Sequence, residues 1–492
     1  MTGQPDVIGL LHRADWTRLS LSARVNDGSA VLVAPGRRYR EQTAEGIRGC
    51  DGDHPWTLPP WAADGTEHWA GGPEPPLRTL LCPAWLLRNS RLEVRGPVRA
   101  CGREGLDVVV TARESLRDVT RAAGARIGRT EAIVDAELGI LLRVSRTDGR
   151  RGARVTELVS LDVNPVIDTA QFTPPPGSRV GESLRAAALG TGDPVVQAWK
   201  AAAGLAAGGL GAWHRYSPFG RGRSAADPEA TMPRDDPAPE VSPDGRLAGP
   251  SVGDDVLHLL HGSGTAAFAA TLHQWLDPGA VLARVPDTVR RTGFGGLGLV
   301  ASALGEPAAA PHLVSSLRIG GPGRYQIDHR HDPARGPKTI ACDGRRRWRV
   351  YRYRVTAGPA QPLPSDLADL ADASWLLECR LSDGTLVMAR DRPAYRVNVA
   401  RGDAPWSVSL MFSPAVAVVD AELGILLSLT SYLGGQPVRR YELRDVSGPA
   451  SPGDFRVHLP PGLRVEQETN PFQGVREATK TARDFLRRMG LP

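Results

Sequence analysis

The chain has 492 residues, which is enough for two or three domains with sizeable cores. Hydrophobic residues make up 41% and charged residues 23%, so disorder throughout the chain is excluded. The net charge is only +6, and all but three of the 60 basic residues are arginine, so the composition gives little support to a dedicated nucleic-acid binder. Five cysteines without a CxxC pair argue against a zinc site and against a disulfide framework.

The amino-terminal sequence predicts no export signal. It has no basic region followed by a long apolar core, and no lipidation cysteine lies near the start. No segment reaches the roughly 20 apolar residues that a membrane span requires. We therefore expect a cytoplasmic protein without a membrane span, and an exported one if the true start lies further upstream.

Short β-strands dominate the first half of the chain after one opening helix. Each strand alternates or is rich in β-branched residues, and Gly, Pro and Asp separate the strands. The first-half strands are expected at Leu19–Val25, Ala30–Val33, Leu106–Val110, Ala132–Val134 and Ile140–Ser145.

The second half predicts a similar series with an opening helix of its own. A further helix is expected over Ser365–Leu377, with Ser365 as its N-cap. The strands are expected at Leu313–Ile319, Trp348–Val355, Tyr395–Val399, Trp406–Phe412, Ala415–Val419 and Ile425–Thr430.

The two halves share one sequence pattern. VDAELGILL occurs at Val134–Leu142 and again, identical, at Val419–Leu427. The residues around Gly139 and Gly424 predict a tight hairpin turn in each half. Other matches follow in the same order: PGRRY at 35 with PGRY at 322, CDGxxxW at 50–56 with 342–348, and Trp-Leu-Leu at 85–87 with 375–377. The chain therefore looks like two copies of one unit.

We place the first copy at residues 1–212 and the second at 251–492. A linker rich in Pro, Asp and Gly occupies residues 213–250. The second copy is about 38 residues longer between its opening helix and its PGRY motif, and this insertion falls near 262–311. Two runs in it, Thr265–Trp275 and Ala280–Val285, are expected to be helical, and the glycine-rich Gly293–Gly298 follows them. A helix is also expected at the end of each copy, after Asp193-Pro194 and after Asn470-Pro471.

PGRYQIDH at Pro322–His329, followed by CDGRRRWRVY at Cys342–Tyr351, resembles the LolA-type lipoprotein carrier superfamily. The VDAELGILL hairpin is similar to a turn of the same superfamily, which includes LolB, RseB-type and mycobacterial cell-wall lipoprotein domains. The resemblance implies an α+β fold: two tandem half-open antiparallel β-barrels, each with a few helices covering its concave face. It also implies a non-enzymatic protein that binds a lipid or acyl chain in one or both concave faces.

Four tryptophans shared by the copies are the candidates for lining a hydrophobic ligand cavity. They are Trp56 with Trp348 and Trp85 with Trp375, together with the neighbouring Leu376. Ordinary core packing is the alternative for each, because buried aromatic residues dominate cores. If the protein's own helices fill the sheets, the protein is instead a sensor or scaffold for another protein.

The segment Arg345–Arg354 is rich in arginine and aromatic residues only in the second copy. Basic residues alternating with aromatic ones suit an anionic lipid surface or phosphates and stacked bases. The candidate anionic contacts are Arg345, Arg347, Arg349 and Arg352. A merely solvated strand is the alternative, and a nucleic-acid partner is the weakest of the three hypotheses.

Nothing in the sequence points to catalysis, to a metal or to a cofactor. Asp135 with Glu137, and Asp420 with Glu422, lie in the predicted hairpin turns, where Asp is a common turn residue. Two histidine pairs, His329 with His331 and His258 with His261, lack a third ligand at metal-binding spacing. No GxxxxGK[ST] motif occurs.

Overall fold

A computed structural model describes the main part of the chain. The described residues are 6–58, 77–88, 90–113, 129–147, 153–180, 232–233, 237–241, 247–264, 266–277, 312–321, 323–329, 339–351, 354–360, 363, 365–400, 414–448, 455 and 464–467. We refer to residues 6–180 as unit 1 and to residues 247–467 as unit 2.

Unit 1 forms one open antiparallel sheet of eleven strands. Their order across the sheet is β11-β5-β4-β3-β2-β1-β10-β9-β8-β7-β6, so the edges are β11 and β6. The strands are β1 Leu21–Val25, β2 Ala30–Ala34, β3 Arg38–Gln42, β4 Ile47–Asp51, β5 Pro55–Leu58, β6 Ser90–Ala100, β7 Arg103–Ala112, β8 Arg129–Asp135, β9 Leu141–Thr147, β10 Ala153–Val163 and β11 Arg179–Val180.

Unit 2 forms a second sheet of twelve strands, in the order β18-β19-β20-β21-β22-β12-β13-β14-β15-β16-β17-β23. All pairs are antiparallel except β17 with β23. The strands are β12 Phe268–Leu276, β13 His312–Ile319, β14 Arg324–His329, β15 Thr339–Asp343, β16 Arg346–Val350, β17 Val355–Pro359, β18 Arg380–Ala389, β19 Arg392–Ala400, β20 Ala415–Asp420, β21 Leu426–Leu433, β22 Gln436–Ser447 and β23 Val465–Gln467.

The strand order is the same in both sheets once β17 is set aside. In each sheet the first strand of the unit is central and pairs with the last long strand, β1 with β10 and β12 with β22. Neither sheet closes on itself, because its two edge strands are not bonded to each other. The expected α+β fold with two half-open antiparallel sheets is confirmed.

Few helices accompany the sheets within the described residues. The α-helices are α1 Val7–Arg13, α2 Leu77–Leu81, α3 Asp254–Gly262 and α4 Ser365–Ala371. Short 3-10 helices lie at Trp16–Arg18, Pro83–Leu86, Thr169–Phe172 and Ala373–Glu378. Asp6 caps α1 by accepting from the backbone N–H groups of Ile8 and Gly9 at 3.1 and 3.0 Å. The helix expected over Ser365–Leu377 is broken at Asp372, which caps the 3-10 helix that follows α4.

The expectation of a helix over Thr265–Trp275 is wrong. Phe268–Leu276 is strand β12, paired on both sides. Phe268, Ala270 and Leu272 face the core, while Thr271 and Trp275 are buried on the opposite face. Because both faces are covered, apolar and polar residues do not alternate along this strand. Its Ala and Leu content is typical of a helix, which led to the wrong prediction.

The expected strand Trp348–Val355 is two strands. β16 ends at Val350 and β17 begins at Val355, and the backbone N–H of Tyr351 donates to the carbonyl of Arg354 at 2.7 Å between them. Several other predicted elements lie outside the described residues: Ala280–Val285, Gly293–Gly298, Trp406–Phe412 and the helices after Asp193-Pro194 and Asn470-Pro471.

One hydrophobic core runs through both units. In unit 1 it includes Leu21, Val33 and Leu87, and in unit 2 it includes Leu257 and Leu376, all of which are fully buried. Helices α1 and α3 contact each other, and so do the 3-10 helices Pro83–Leu86 and Ala373–Glu378. The helices of the two units therefore form one shared layer, and we call the sheet faces that carry this core the core faces.

Candidate functional site

Trp85 and Trp375 have the same local structure in the two units. Each follows a short α-helix and lies within a 3-10 turn, and each indole Nε1 donates to a carbonyl six residues earlier: Thr79 at 3.1 Å and Asp369 at 2.9 Å. Trp375 is 2% exposed and Leu376 is fully buried. The guanidinium of Arg146 lies 4.2 Å from the ring centre of Trp85. These residues hold the helical layer together.

Trp56 and Trp348 lie on the opposite sheet faces, away from the shared core. Trp56 stands opposite Gly49, and Trp348 stands opposite Ala341. The indole Nε1 of Trp56 donates to the carbonyl of Phe172 at 2.9 Å, beneath the 3-10 helix Thr169–Phe172. The four tryptophans therefore do not line one cavity: the sequence could not separate the two sheet faces, because their assignment depends on the strand register.

The arginine-rich segment is divided by the sheet. Arg345 is exposed in the turn before β16, and its N–H donates to Asp343 Oδ1 at 2.7 Å. Arg347 is only 6% exposed and lies opposite Cys342, while Arg349 is half-buried opposite Ile340. Arg347 and Arg349 both belong to the core face, whereas Arg345 lies outside β16, so the structure does not bring these three candidate anionic contacts together on one exposed face. Arg352 lies outside the described residues.

The repeated VDAELGILL hairpins contain a buried ion pair in each unit. Asp135 is fully buried and accepts from the backbone N–H of Glu137 and Leu138 at 3.0 and 2.9 Å, and from Arg103. Burial alone would raise the pKa of Asp135, but the Arg103 guanidinium and the two N–H donors hold it below its usual value.

Unit 2 repeats the arrangement. Asp420 accepts from Glu422 and Leu423 at 2.9 and 2.8 Å and from Arg392, and its pKa is likewise lowered against the effect of burial. In each carboxylate, Oδ1 accepts from the two backbone N–H groups of the turn, and Oδ2 accepts from the arginine. The geometry therefore agrees with a structural role for Asp135, Glu137, Asp420 and Glu422.

The histidines are packing residues or ion-pair partners. His329 lies on the core face, with Nδ1 at 2.9 Å from Ser315 Oγ, and its pKa is lowered by burial. His331 lies outside the described residues. His258 Nε2 lies 3.2 Å from Asp6 Oδ1 of the other unit. Within the described part of the chain, no three His, Cys, Asp or Glu side chains are grouped as a metal site would require.

The feature that sequence reasoning missed is the junction between the units. Arg88 of unit 1 lies 3.6 Å from Glu378 and 3.8 Å from Asp369 of unit 2. Arg13 pairs with Asp254 at 2.8 Å. A signal was present, because Arg88 and Glu378 follow the shared Trp-Leu-Leu motifs and carry opposite charges at matched positions.

Two matched histidines also lie at the junction. His12 donates to the backbone carbonyl of Cys379, and burial lowers its pKa to about 4. Burial lowers the pKa of His261, its counterpart, to about 4 as well, and the charge of Arg113 adds to this effect. Both imidazoles are therefore neutral at pH 7.

Comparisons with known proteins give matches only among solved structures. No family model matches the chain, and no curated protein matches it. The matching structures include the MucA/MucB complex of Pseudomonas aeruginosa, with 15% identity and a TM-score of 0.24 over 36% of this chain and 63% of that one. An uncharacterised conserved protein from Thermus thermophilus matches with 7% identity and a TM-score of 0.26, over 44% of this chain and 98% of that one.

A LolA superfamily protein from Nitrosomonas europaea matches with 10% identity and a TM-score of 0.21, over 42% of this chain and 98% of that one. The present chain spans less than two thirds of the MucB length. In the described part of the chain, no helix combines the length and apolar character needed to span a membrane.

Proposed function

We propose that the protein is a non-catalytic binding module that takes a partner protein on the outside of its sheets. The observation that carries this proposal is the burial of the helical layer, from which we infer that the core faces are filled. Leu87, Leu257 and Leu376 of the helical layer are fully buried on the core faces, where a half-barrel that holds a ligand leaves space. A lipid would have to displace such residues, each of which contributes about 2 kcal/mol by its burial.

One sheet edge is suited to a partner. β18 is an edge strand, and its first half is covered because Ser251 bridges to Ser382 and Asp383 N–H donates to the carbonyl of Pro250. The second half, Gly384–Ala389, carries no charge, and its Leu386 and Met388 are 63% and 70% exposed.

The matched edge strand of unit 1 is protected. On β6, arginine, glutamate and proline alternate on the exposed positions, and Gly96 lies at a register shift. β18 has an equivalent register shift between Asp383 and Thr385, so the two edges differ in charge, which prevents a sheet edge from pairing with another strand. Because the second half of β18 lacks such charges, we infer that an extended segment of the partner pairs with β18 and places apolar side chains beside Leu386 and Met388.

The test uses a photo-crosslinking residue at position 388 of the full chain, with position 99 of β6 as the matched control. We expect a discrete adduct in the source cells from position 388 only. The partner identified from that adduct, once purified, should bind the wild-type chain and fail to bind the Met388→Lys variant. Equal adducts from both positions, or none from position 388, would refute the proposal.

A second candidate function is the binding of an anionic lipid on the core face of unit 2. Its support is a ladder in which Ile327, Ile340 and Arg349 stand side by side across β14, β15 and β16, next to a ladder that runs from Tyr325 through Cys342 to Arg347. Native mass spectrometry and solvent extraction of detergent-free protein decide the matter. One lipid per chain would favour this function over the first, and an empty chain would eliminate it.

A further inference from the structure

The junction between the units contains a buried cation whose terminal nitrogens are unused. Arg113, which follows β7, is 8% exposed. Its Nε donates to the carbonyl of Ser90 at 3.1 Å. In the described structure its Nη1 and Nη2 are both inaccessible and have no hydrogen-bond partner. Burial of an unpaired charged group costs several kcal/mol, so this arrangement calls for a compensating anion.

Gly264 of unit 2 lies beside this guanidinium, because a Cβ placed on it would lie 3.7 Å from Nη1. The charge of Asp372 favours the protonated guanidinium, but burial is the larger effect and lowers the pKa of Arg113. Asp372 Oδ1 instead accepts from the Ser374 N–H at 3.0 Å.

Other unused hydrogen-bonding groups belong to α3 and to the 3-10 helix Ala373–Glu378, which contacts α3. Among the described residues, His261 Nε2 is buried without a partner, and so is the hydroxyl of Ser374, whose side chain is 1% exposed. A neutral imidazole and a hydroxyl can each donate one hydrogen bond. A guanidinium fork offers two parallel donors that match the two oxygens of a carboxylate or phosphate.

We propose that the junction holds a small oxyanion, a carboxylate or phosphate group, bound by Nη1 and Nη2 of Arg113 in unit 1 beside His261 of unit 2. The anion supplies the hydrogen-bonded acceptor that Nη1 and Nη2 lack, because Asp372 acts on the guanidinium only through its charge. Because the two nitrogens are closed to solvent, the anion enters only when the units separate locally. It then acts as a bridge that stabilises the paired units.

The test measures thermal unfolding of the full chain in phosphate, acetate and chloride at equal ionic strength. We expect phosphate or acetate at saturating concentration to raise the Tm of the wild-type chain by on the order of 5 °C over chloride. The more effective of the two identifies the oxyanion. Arg113→Met should abolish the difference. Arg13→Met should retain it, because Arg13 is a junction arginine with its own carboxylate partner.

The stability of the wild-type and variant chains without a bound oxyanion is an independent measurement. In chloride, Arg113→Met should be at least as stable as the wild-type chain, because it removes a buried unpaired charge. Equilibrium dialysis with radiolabelled phosphate should find one site per wild-type chain if phosphate is the ligand. Equal Tm values in all three salts, or an oxyanion effect that survives Arg113→Met, would overturn the proposal.

Discussion

Replacing Gly139 by alanine tests how the repeated hairpin positions the opening helix. Gly139 has φ +71°, and an added Cβ would collide with the carbonyl oxygen of Leu10 and lie 2.8 Å from its carbonyl carbon. That carbonyl belongs to the last turn of α1, so the helix must move away from the hairpin. The equivalent Gly424, with φ +65°, meets Ser263 directly after α3.

The size of the effect follows from two contributions. A left-handed conformation costs a residue with a Cβ about 1 kcal/mol, and forcing an extra carbon into a packed site costs about 1–3 kcal/mol more. Gly139→Ala should therefore lower the free energy of unfolding by about 2–4 kcal/mol. Gly102→Ala is the matched control, because Gly102 has φ +74° and an added Cβ meets nothing within 4 Å.

Urea unfolding of the full chain, followed by circular dichroism, measures both variants. Gly102→Ala should lose only the conformational contribution of about 1 kcal/mol. If Gly139→Ala and Gly102→Ala lose the same free energy, the hairpin does not support α1, and the contact between the repeated motif and the opening helix has no energetic weight.

Three further predictions concern buried charges. A double-mutant cycle with Arg88→Met and Glu378→Gln should give a coupling of about 1 kcal/mol, since Glu378 is 8% exposed; zero coupling would show that the ion pair does not hold the junction. Asp135→Asn should cost about 3 kcal/mol in urea unfolding, whereas Glu137→Gln, at an exposed position, should cost little. The folded pKa of Asp135 is lowered, so its stabilisation is present above the unfolded pKa of about 3.9 and is lost as pH falls through the folded pKa. The difference in free energy of unfolding between Asp135→Asn and the wild type should therefore shrink at low pH. A difference that stays constant would contradict this. His12 has a folded pKa of about 4 against an ordinary 6.5, so the free energy of unfolding should decline as pH falls from 6.5 towards 4. His12→Gln should make that decline smaller. If the variant shows the same pH dependence of stability as the wild type, His12 is not its source.

The sequence predicted the sheet-rich architecture because most strands alternate and end at turn residues. It failed at β12, where both faces are buried and the alternation disappears. It also failed at Arg347, since a strand pattern separates two faces but does not say which one meets the core. The partner strand decides that, and here Cys342 places Arg347 on the buried side.

The sequence predicts only part of the junction between the units. Arg88 and Glu378 occupy matched positions after the shared Trp-Leu-Leu motifs, so their opposite charges are visible in the sequence. Their approach to 3.6 Å depends on how the helices of the two units pack against each other. Arg113 carries no motif at all, because its burial results from the packing of residues more than 140 positions away.

Hydrogen exchange of the intact chain tests most directly whether the helical layer fills the core faces. If α1, α3 and the 3-10 helices Pro83–Leu86 and Ala373–Glu378 are part of one core, their amides should exchange only through global unfolding, at the same rate as those of β8 and β20. Exchange of these helices through local opening, much faster than exchange in the two strands, would mean that the layer is a movable cover over a cavity. That result would contradict the filled core on which the proposed protein-binding function rests.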